Sequence, residues 1–127
     1  MIPVCSGLRS PGGIAANTQG EMFVIESQGP WNGSCSLKHL KPGGFLGHPA
    51  SYNWYPYTID LKAPVKPNSQ SRLHLERARV PELVPPAVHF PYIKMGRSIS
   101  GFRLDDTGGK FGPFAGQFFL GDYTLSI

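Results

Sequence analysis

Residues 21–49, EMFVIESQGPWNGSCSLKHLKPGGFLGHP, contain the pattern that decides the fold of this chain. Two short apolar segments, 22–25 and 36–40, are separated by a turn-forming segment, and the second is followed by Lys-Pro-Gly-Gly. Short runs of this kind, bounded by Gly and Pro, are typical of strands joined by shaped loops. The stretch therefore predicts two β-strands that act as support, and we expect the chemistry to lie on the loops between them.

The composition predicts one folded, turn-rich β domain. The chain has 127 residues, enough for one small domain, and its 16 glycines and 13 prolines indicate many turns. Hydrophobic residues make up 40% of the chain, which is enough apolar surface for a core and argues against disorder. The net charge of +4 is spread along the sequence, so we expect no nucleic-acid partner, which would need clustered Lys and Arg.

The two cysteines, Cys5 and Cys35, leave the redox compartment open, because they could pair or remain free thiols. No Cys-x-x-Cys motif supports a zinc ribbon or a redox centre. No apolar run reaches the roughly 18 residues of a membrane span. The N-terminus also lacks the basic and then apolar pattern of a signal peptide. We therefore expect neither a membrane span nor a signal peptide in this chain.

Further strands and one helix are predicted along the chain. Residues 7–13 are expected to form a loop, and residues 14–26 a hairpin whose second strand is apolar on both faces and hence buried on both sides. The aromatic-rich segment 45–57 predicts an ordered loop that packs its rings on the sheet, with an exposed binding surface as the alternative. The remaining predicted elements are a helix at 71–80 and strands at 87–93, 99–104 and 116–121.

The hairpin pattern occurs twice. Gly13 and Gly101 begin similar patterns 88 residues apart, and the second strand of each pattern closes on an acidic residue, Glu26 or Asp122. One blade of a β-propeller takes roughly 40 to 50 residues. The spacing therefore fits two blades separated by a long insertion.

Two groups of motifs carry a family resemblance. Residues 25–30 (IESQGP) and 36–49 (SLKHLKPGGFLGHP) resemble the soluble glucose/sorbosone dehydrogenase family. Residues 95–101 (MGRSISG) and 108–117 (GGKFGPFAGQ) resemble a divergent branch of secreted dehydrogenase-like propellers, often joined to cytochrome c-type haem domains. Members of the family are six-bladed β-propellers that oxidise aldoses with pyrroloquinoline quinone (PQQ) and calcium.

The resemblance implies an all-β fold, a partial β-propeller of about two blades with a loop and short-helix insertion. Blade one is expected at about 8–50, the insertion at about 51–86 and blade two at about 87–127. The parent protein is then expected to be periplasmic or extracellular, and this chain to be a fragment of it.

The resemblance also implies a site. Gln28, Gly29, Pro30 and Trp31 are the expected cofactor-binding residues, and the carbonyl groups of Gly29 and Pro30 the expected calcium ligands, since calcium takes hard oxygen ligands. A simple tight loop at Gly29 and Pro30 is the alternative. Segment 32–35 (NGSC) replaces the acidic residues of the family pattern.

Other positions also depart from the family pattern. His48 replaces a Trp, and segment 122–124 stands where a Lys is expected near the quinone. The catalytic His of the family lies upstream of the matched region. No catalytic residue is therefore assigned here, and the chain's own histidines are not given that role: His39, His48, His74 and His89.

Three functions remain open from the sequence, and the third is a free-standing small β-domain with a binding role of its own. In the first, the full-length parent oxidises a sugar or similar alcohol with a quinone, passes electrons to a cytochrome c-type acceptor, and this fragment alone is inactive. In the second, the propeller is non-catalytic and binds carbohydrate or protein through its loops. The adjacent carboxylates Asp105 and Asp106 could bind a cation, although a turn cap is the stronger interpretation.

Overall fold

The computed structural model describes residues 2–29, 31, 33–68 and 70–124, whose regular structure is mostly β. The all-β class is confirmed at that level. The elements, in chain order, are β1 (Pro11–Ala16), β2 (Met22–Glu26), β3 (Cys35–His39), two 3-10 turns (Pro49–Asn53 and Tyr55–Tyr57), α1 (Leu73–Arg79), β4 (Val88–Phe90), β5 (Ile99–Leu104) and β6 (Phe118–Asp122).

The strands form two antiparallel sheets. The first has the order β1-β2-β3-β4, so each strand pairs with its neighbour in sequence, and the second contains β5 and β6. The strands predicted at 21–26, 36–40 and 99–104 are confirmed, with small shifts at their ends. Blade two was predicted to begin at about residue 87. β4, which begins at Val88, pairs with β3 and so belongs to the first sheet.

Strand β2 is buried on both faces at its centre, as its sequence predicts. Val24 is 2% exposed and packs in a cluster with Leu46 and Val84. The adjacent Ile25 is fully buried and packs in a different cluster, which contains Ile99 of β5. Because successive side chains of a strand point to opposite faces, β2 joins two separate apolar layers.

The loop predicted at 7–13 is wrong in its second half, because β1 begins at Pro11. Gly12 and Gly13 lie in this strand against the backbone of β5. A Cβ atom on Gly12 would lie 2.5 Å from the carbonyl oxygen of Ile99, and one on Gly13 would lie 3.1 Å from Cα of Gly101. Glycine at these two positions allows the close approach of two strands. In the sequence, the same two glycines look like part of a loop.

The β1–β2 and β5–β6 hairpins share one register. Ile14 lies opposite Val24 in the first hairpin, and Phe102 lies opposite Leu120 in the second. Each hairpin has a register shift near the start of its first strand. The equivalent residues of β1 and β5 are 88 positions apart, so the repeat predicted from the sequence is present in the geometry.

Each hairpin also ends in a carboxylate that holds the residues before its first strand. Oε1 of Glu26 accepts hydrogen bonds from the backbone N–H groups of Arg9 and Ser10, the latter at 3.1 Å. Oδ2 of Asp122 accepts hydrogen bonds from the backbone N–H groups of residues 97–98, at 2.6 and 2.9 Å. We refer to these contacts as carboxylate latches.

The turns of the two hairpins are equivalent as well. The N–H group of Asn17 donates to the carbonyl oxygen of Glu21 at 3.0 Å, and the N–H group of Asp105 donates to that of Gln117 at 2.8 Å. The second turn is longer, because residues 106–116 lie between its two hydrogen-bonded residues, compared with residues 18–20 in the first turn.

The thiols of Cys5 and Cys35 are free, and burial raises the pKa of Cys5. Within the residues that the structure describes, no helix has the length and apolar character to cross a membrane.

Candidate functional site

The loop between β2 and β3 contains the residues predicted to bind a cofactor, and Arg9 lies against it. The guanidinium group of Arg9 donates a hydrogen bond to the carbonyl oxygen of Gln28 at 2.7 Å. A Cβ atom on Gly29 would collide with Cδ of Arg9, so the Arg9 side chain would have to move if this residue were larger. Pro30 lies outside the described residues. The structure therefore brings Gln28 and Gly29 together at one cationic side chain.

Trp31 faces the protein instead of open solvent. Its φ angle of 65° is in the left-handed region, which is unusual for a bulky residue. Its ring packs over Gly47 and against the cluster that contains Phe45. The indole Nε1 is buried and has no hydrogen-bond partner among the described residues. Trp31 therefore anchors the loop, and its assignment to a cofactor stays a prediction.

A cavity of about 480 Å³ lies next to this loop, between segment 3–9 and the 3-10 turns. Backbone pairing fixes the two walls: the N–H group of His48 donates to the carbonyl oxygen of Gly7 at 2.8 Å. The hydroxyl groups of Ser6 and Tyr55 are hydrogen-bonded across the cavity lining at 2.6 Å.

The polar groups of the cavity are hydroxyls, one imidazole and one guanidinium. Ser51 and Thr58 add hydroxyl groups whose protons are donated to backbone carbonyls, which leaves their oxygen lone pairs as acceptors. Arg9 supplies a positive charge, and the described lining residues include no carboxylate. Trp54 is 68% exposed and forms part of the aromatic lining.

His48 carries an unsatisfied polar atom. Its Nδ1 is buried and has no hydrogen-bond partner within the described part of the chain, although the residue lines the cavity. Buried polar atoms are almost always hydrogen-bonded, by protein, water or ligand. This nitrogen is therefore the polar atom of the lining that lacks a hydrogen-bond partner in the described part of the chain.

A buried ion pair holds the segment that carries His48. Nζ of Lys38 donates to Oε2 of Glu26 at 2.5 Å and to the carbonyl oxygen of Leu46 at 2.7 Å. Lys38 and Glu26 are each 1% exposed. Burial lowers the pKa of Lys38, and the neighbouring Glu26 carboxylate opposes that shift. The pair thus links β2 and β3 to residues 45–48 and so to the cavity wall.

The Gln28 carbonyl, next to the predicted calcium ligands Gly29 and Pro30, is already hydrogen-bonded. A calcium ion takes about six to eight oxygen ligands, whereas this oxygen already accepts from the Arg9 guanidinium. The Glu26 carboxylate is occupied by Lys38 and by backbone N–H groups. Among the described residues, no group of three or more His, Cys, Asp or Glu side chains could hold a metal. These contacts do not involve the carbonyl groups of Gly29 and Pro30, so calcium at these two residues stays a prediction.

Arg9 is the described cation beside the predicted cofactor-binding residues, and a guanidinium group is suited to bind a carboxylate. PQQ therefore also stays a prediction, with Arg9 as the described residue that would hold it.

Sequence reasoning missed several cavity residues, including Arg9, Ser6 and Tyr55. One signal could have found Arg9, because Arg9-Ser10 recurs as Arg97-Ser98 one repeat, 88 residues, later. No comparable signal joins Ser6 to Tyr55, which are distant in sequence. The exposed binding surface considered for 45–57 applies to Trp54. Phe45 is 1% exposed and packs inward as predicted, although against Val80 and Leu83, which lie outside the strands.

Comparisons of the chain with protein-family models, with curated proteins and with solved structures gave no match. The resemblance to sugar dehydrogenases therefore stays a prediction, and the site is interpreted from its own geometry.

Proposed function

We propose that this chain forms two neighbouring blades of a β-propeller and that the cavity beside the first blade binds a sugar-type ligand. Adjacent blades of a propeller are small antiparallel sheets arranged around one axis. The equal register of the two hairpins and the close packing of Gly12 and Gly13 on β5 support this arrangement.

The proposal of a sugar-type ligand depends mainly on the buried Nδ1 of His48, which has no partner among the described residues and lies in the lining of a cavity bordered by hydroxyl groups and Trp54. A sugar presents hydroxyl groups along its edges and an apolar C–H face. The edges can hydrogen-bond to His48 and to the hydroxyls of Ser6 and Tyr55, and the C–H face can lie on the indole ring of Trp54. A volume of about 480 Å³ is within the usual range of small-molecule sites.

The test is a titration of the 127-residue chain with monosaccharides, followed by backbone amide NMR shifts. We expect saturable shifts near residues 6–9 and 48–58, and Trp54→Ala should weaken binding by about fivefold to tenfold. Tyr57→Ala is the matched control, because Tyr57 is 81% exposed in the second 3-10 turn and does not line the cavity.

The absence of saturable shifts for every sugar, or an equal effect of Trp54→Ala and Tyr57→Ala, would refute the cavity as the sugar site. His48→Phe provides a second variant that keeps the ring size and removes the nitrogens. It should abolish the sugar-dependent shifts while the rest of the spectrum stays dispersed.

The second candidate function is the quinone-dependent oxidation of a sugar or alcohol by the full-length parent. The observation that favours it is the Arg9 guanidinium beside Gln28 and Gly29. A bound quinone would supply a hydride acceptor, and Arg9 would bind one of its carboxylates.

The two candidates separate in a PQQ titration followed by tryptophan fluorescence, with and without calcium. PQQ binding that is lost in Arg9→Gln and kept in Arg103→Gln would favour the dehydrogenase. Sugar binding without any PQQ binding would favour the non-catalytic propeller.

A further inference from the structure

A second cavity, of about 390 Å³, lies beside the hairpin of β5 and β6. Its walls include the side chains of Leu104, Phe111 and Phe119, and the carboxylates of Asp105 and Asp106 also line it. The cavity therefore combines aromatic and acidic groups, and it shares no lining residue with the sugar cavity.

Asp105 is the unusual member of this lining. It is 6% exposed, and its Oδ1 accepts hydrogen bonds from the backbone N–H and the hydroxyl group of Thr107, at 3.0 and 2.6 Å. This contact confirms the turn cap predicted from the sequence. Its Oδ2, however, is buried and has no donor among the described residues. A buried carboxylate oxygen without a donor is unfavourable, which points to a donor that comes from outside.

The aromatic wall remains open to solvent. Phe111 is 62% exposed and Phe119 is 40% exposed, and their ring centroids are 5.2 Å apart at 82°. Phe114 packs edge-on against Phe119 at 5.4 Å. Exposed rings that support one another in this way form a preorganised apolar surface, and such surfaces mark interaction sites.

The chain's own cations nearby do not satisfy Asp105. Nη2 of Arg103 is paired with Asp106 at 3.2 Å, and both side chains are largely exposed. Lys110, in the loop 106–116, is exposed, and no ion pair joins it to Asp105 in the described structure. Calcium would need about six to eight oxygen ligands, which an aromatic wall does not supply.

We propose that this cavity binds an alkylammonium group, whose N–H donates to Oδ2 of Asp105 while its methylene chain lies on the rings of Phe111 and Phe119. An ammonium group has three donors and no acceptor, so it complements the carboxylate oxygen. A cation near aromatic faces gains further attraction from the ring quadrupoles. A free alkylamine and a lysine side chain present the same group.

The repeat supplies a matched variant. Asn17 occupies the position equivalent to Asp105, and its Oδ1 caps its own turn by accepting from the N–H of Gln19 at 3.0 Å. Asp105→Asn therefore keeps the turn cap and removes the charge. Asp60→Asn is the control, because it removes an exposed carboxylate that does not line this cavity.

The experiment is a titration of the 127-residue chain with n-butylammonium chloride, followed by the NMR amide shifts of Thr107 and Phe111. We expect saturable shifts, binding about tenfold weaker for neutral 1-butanol and for Asp105→Asn, and little change for Asp60→Asn. Phe111→Leu should weaken binding by about threefold while it leaves the buried carboxylate in place.

A parallel titration with Nα-acetyl-lysine methylamide distinguishes the two sources of the group, since tighter binding than butylammonium would assign the site to a lysine residue. Equal binding of butanol and butylammonium would overturn the proposal. Unchanged affinity in Asp105→Asn, or no saturable shift with either amine, would also overturn it. Because Phe111 is exposed, its variant keeps the test valid if Asp105→Asn fails to fold.

Discussion

Replacing Lys38 by Met should strongly destabilise the fold, because it leaves a buried carboxylate without its cation. Lys38 donates to both Glu26 and the carbonyl oxygen of Leu46, and each of the two charged residues is 1% exposed. Loss of one partner of a buried ion pair costs about 3–5 kcal/mol. Met fills much of the lysine volume, so the cavity contribution is small. We expect a loss of about 4 kcal/mol in the free energy of unfolding.

The double variant Glu26→Gln with Lys38→Met separates charge from packing. Gln keeps an oxygen that accepts from the N–H groups of Arg9 and Ser10, and no buried charge remains. Its stability should return to within about 2 kcal/mol of the wild type, since neutral replacements of buried pairs are often tolerated.

The assay is urea unfolding followed by tryptophan fluorescence and circular dichroism. The control is the exposed pair Arg103–Asp106, where Arg103→Met should cost less than about 1 kcal/mol. A Lys38→Met variant as stable as the Arg103→Met variant would refute the reasoning. Additivity of the two single substitutions would also refute it, because contacting residues should show coupling.

Three further predictions follow from the fold. Gly12→Ala should lower the free energy of unfolding by about 1–3 kcal/mol, because its Cβ would press on the backbone of Ile99. Gly33→Ala is the neutral control in thermal unfolding, because a Cβ at this position has no atom within 4 Å. Asp122→Ala should remove the second carboxylate latch, cost about 2–3 kcal/mol, and raise amide hydrogen exchange at residues 97 and 98. The hydrogen bond from the backbone N–H of Asn68, aided by Arg79, lowers the pKa of Glu76 below its ordinary 4.5. The stabilisation that the ionised Glu76 carboxylate gives the fold is therefore present above pH 4.5 and is lost as the pH falls through the lowered pKa of the folded state. Glu76→Gln should destabilise the fold at neutral pH and match the wild type in strong acid, as measured by urea unfolding across pH.

The strands were predictable because their signal is local. The continuous apolar run 22–25 gives the two-sided burial of β2, and the short segment 99–104 between turn-forming residues gives the bounds of β5. The short helix α1 was predictable for the same reason, since its apolar spacing and the following Pro81 lie within one segment.

The positions set by distant contacts were not predictable. Gly12 and Gly13 look like a loop until β5, distant in sequence, is placed against them. Arg9 looks like a surface cation, and only the folded chain brings it to Gln28. The pairing of Ser6 with Tyr55 likewise depends on how segment 3–9 crosses the 3-10 turns.

The equivalence of the two turns has a practical consequence for engineering. The same backbone contact closes a short turn at Asn17 and the much longer loop 106–116 at Asp105. The hairpin therefore accommodates connecting loops of very different length between its two hydrogen-bonded residues. Peptides grafted between Asn17 and Glu21 should be displayed without disturbing the strands, which makes this turn a natural insertion site on the scaffold.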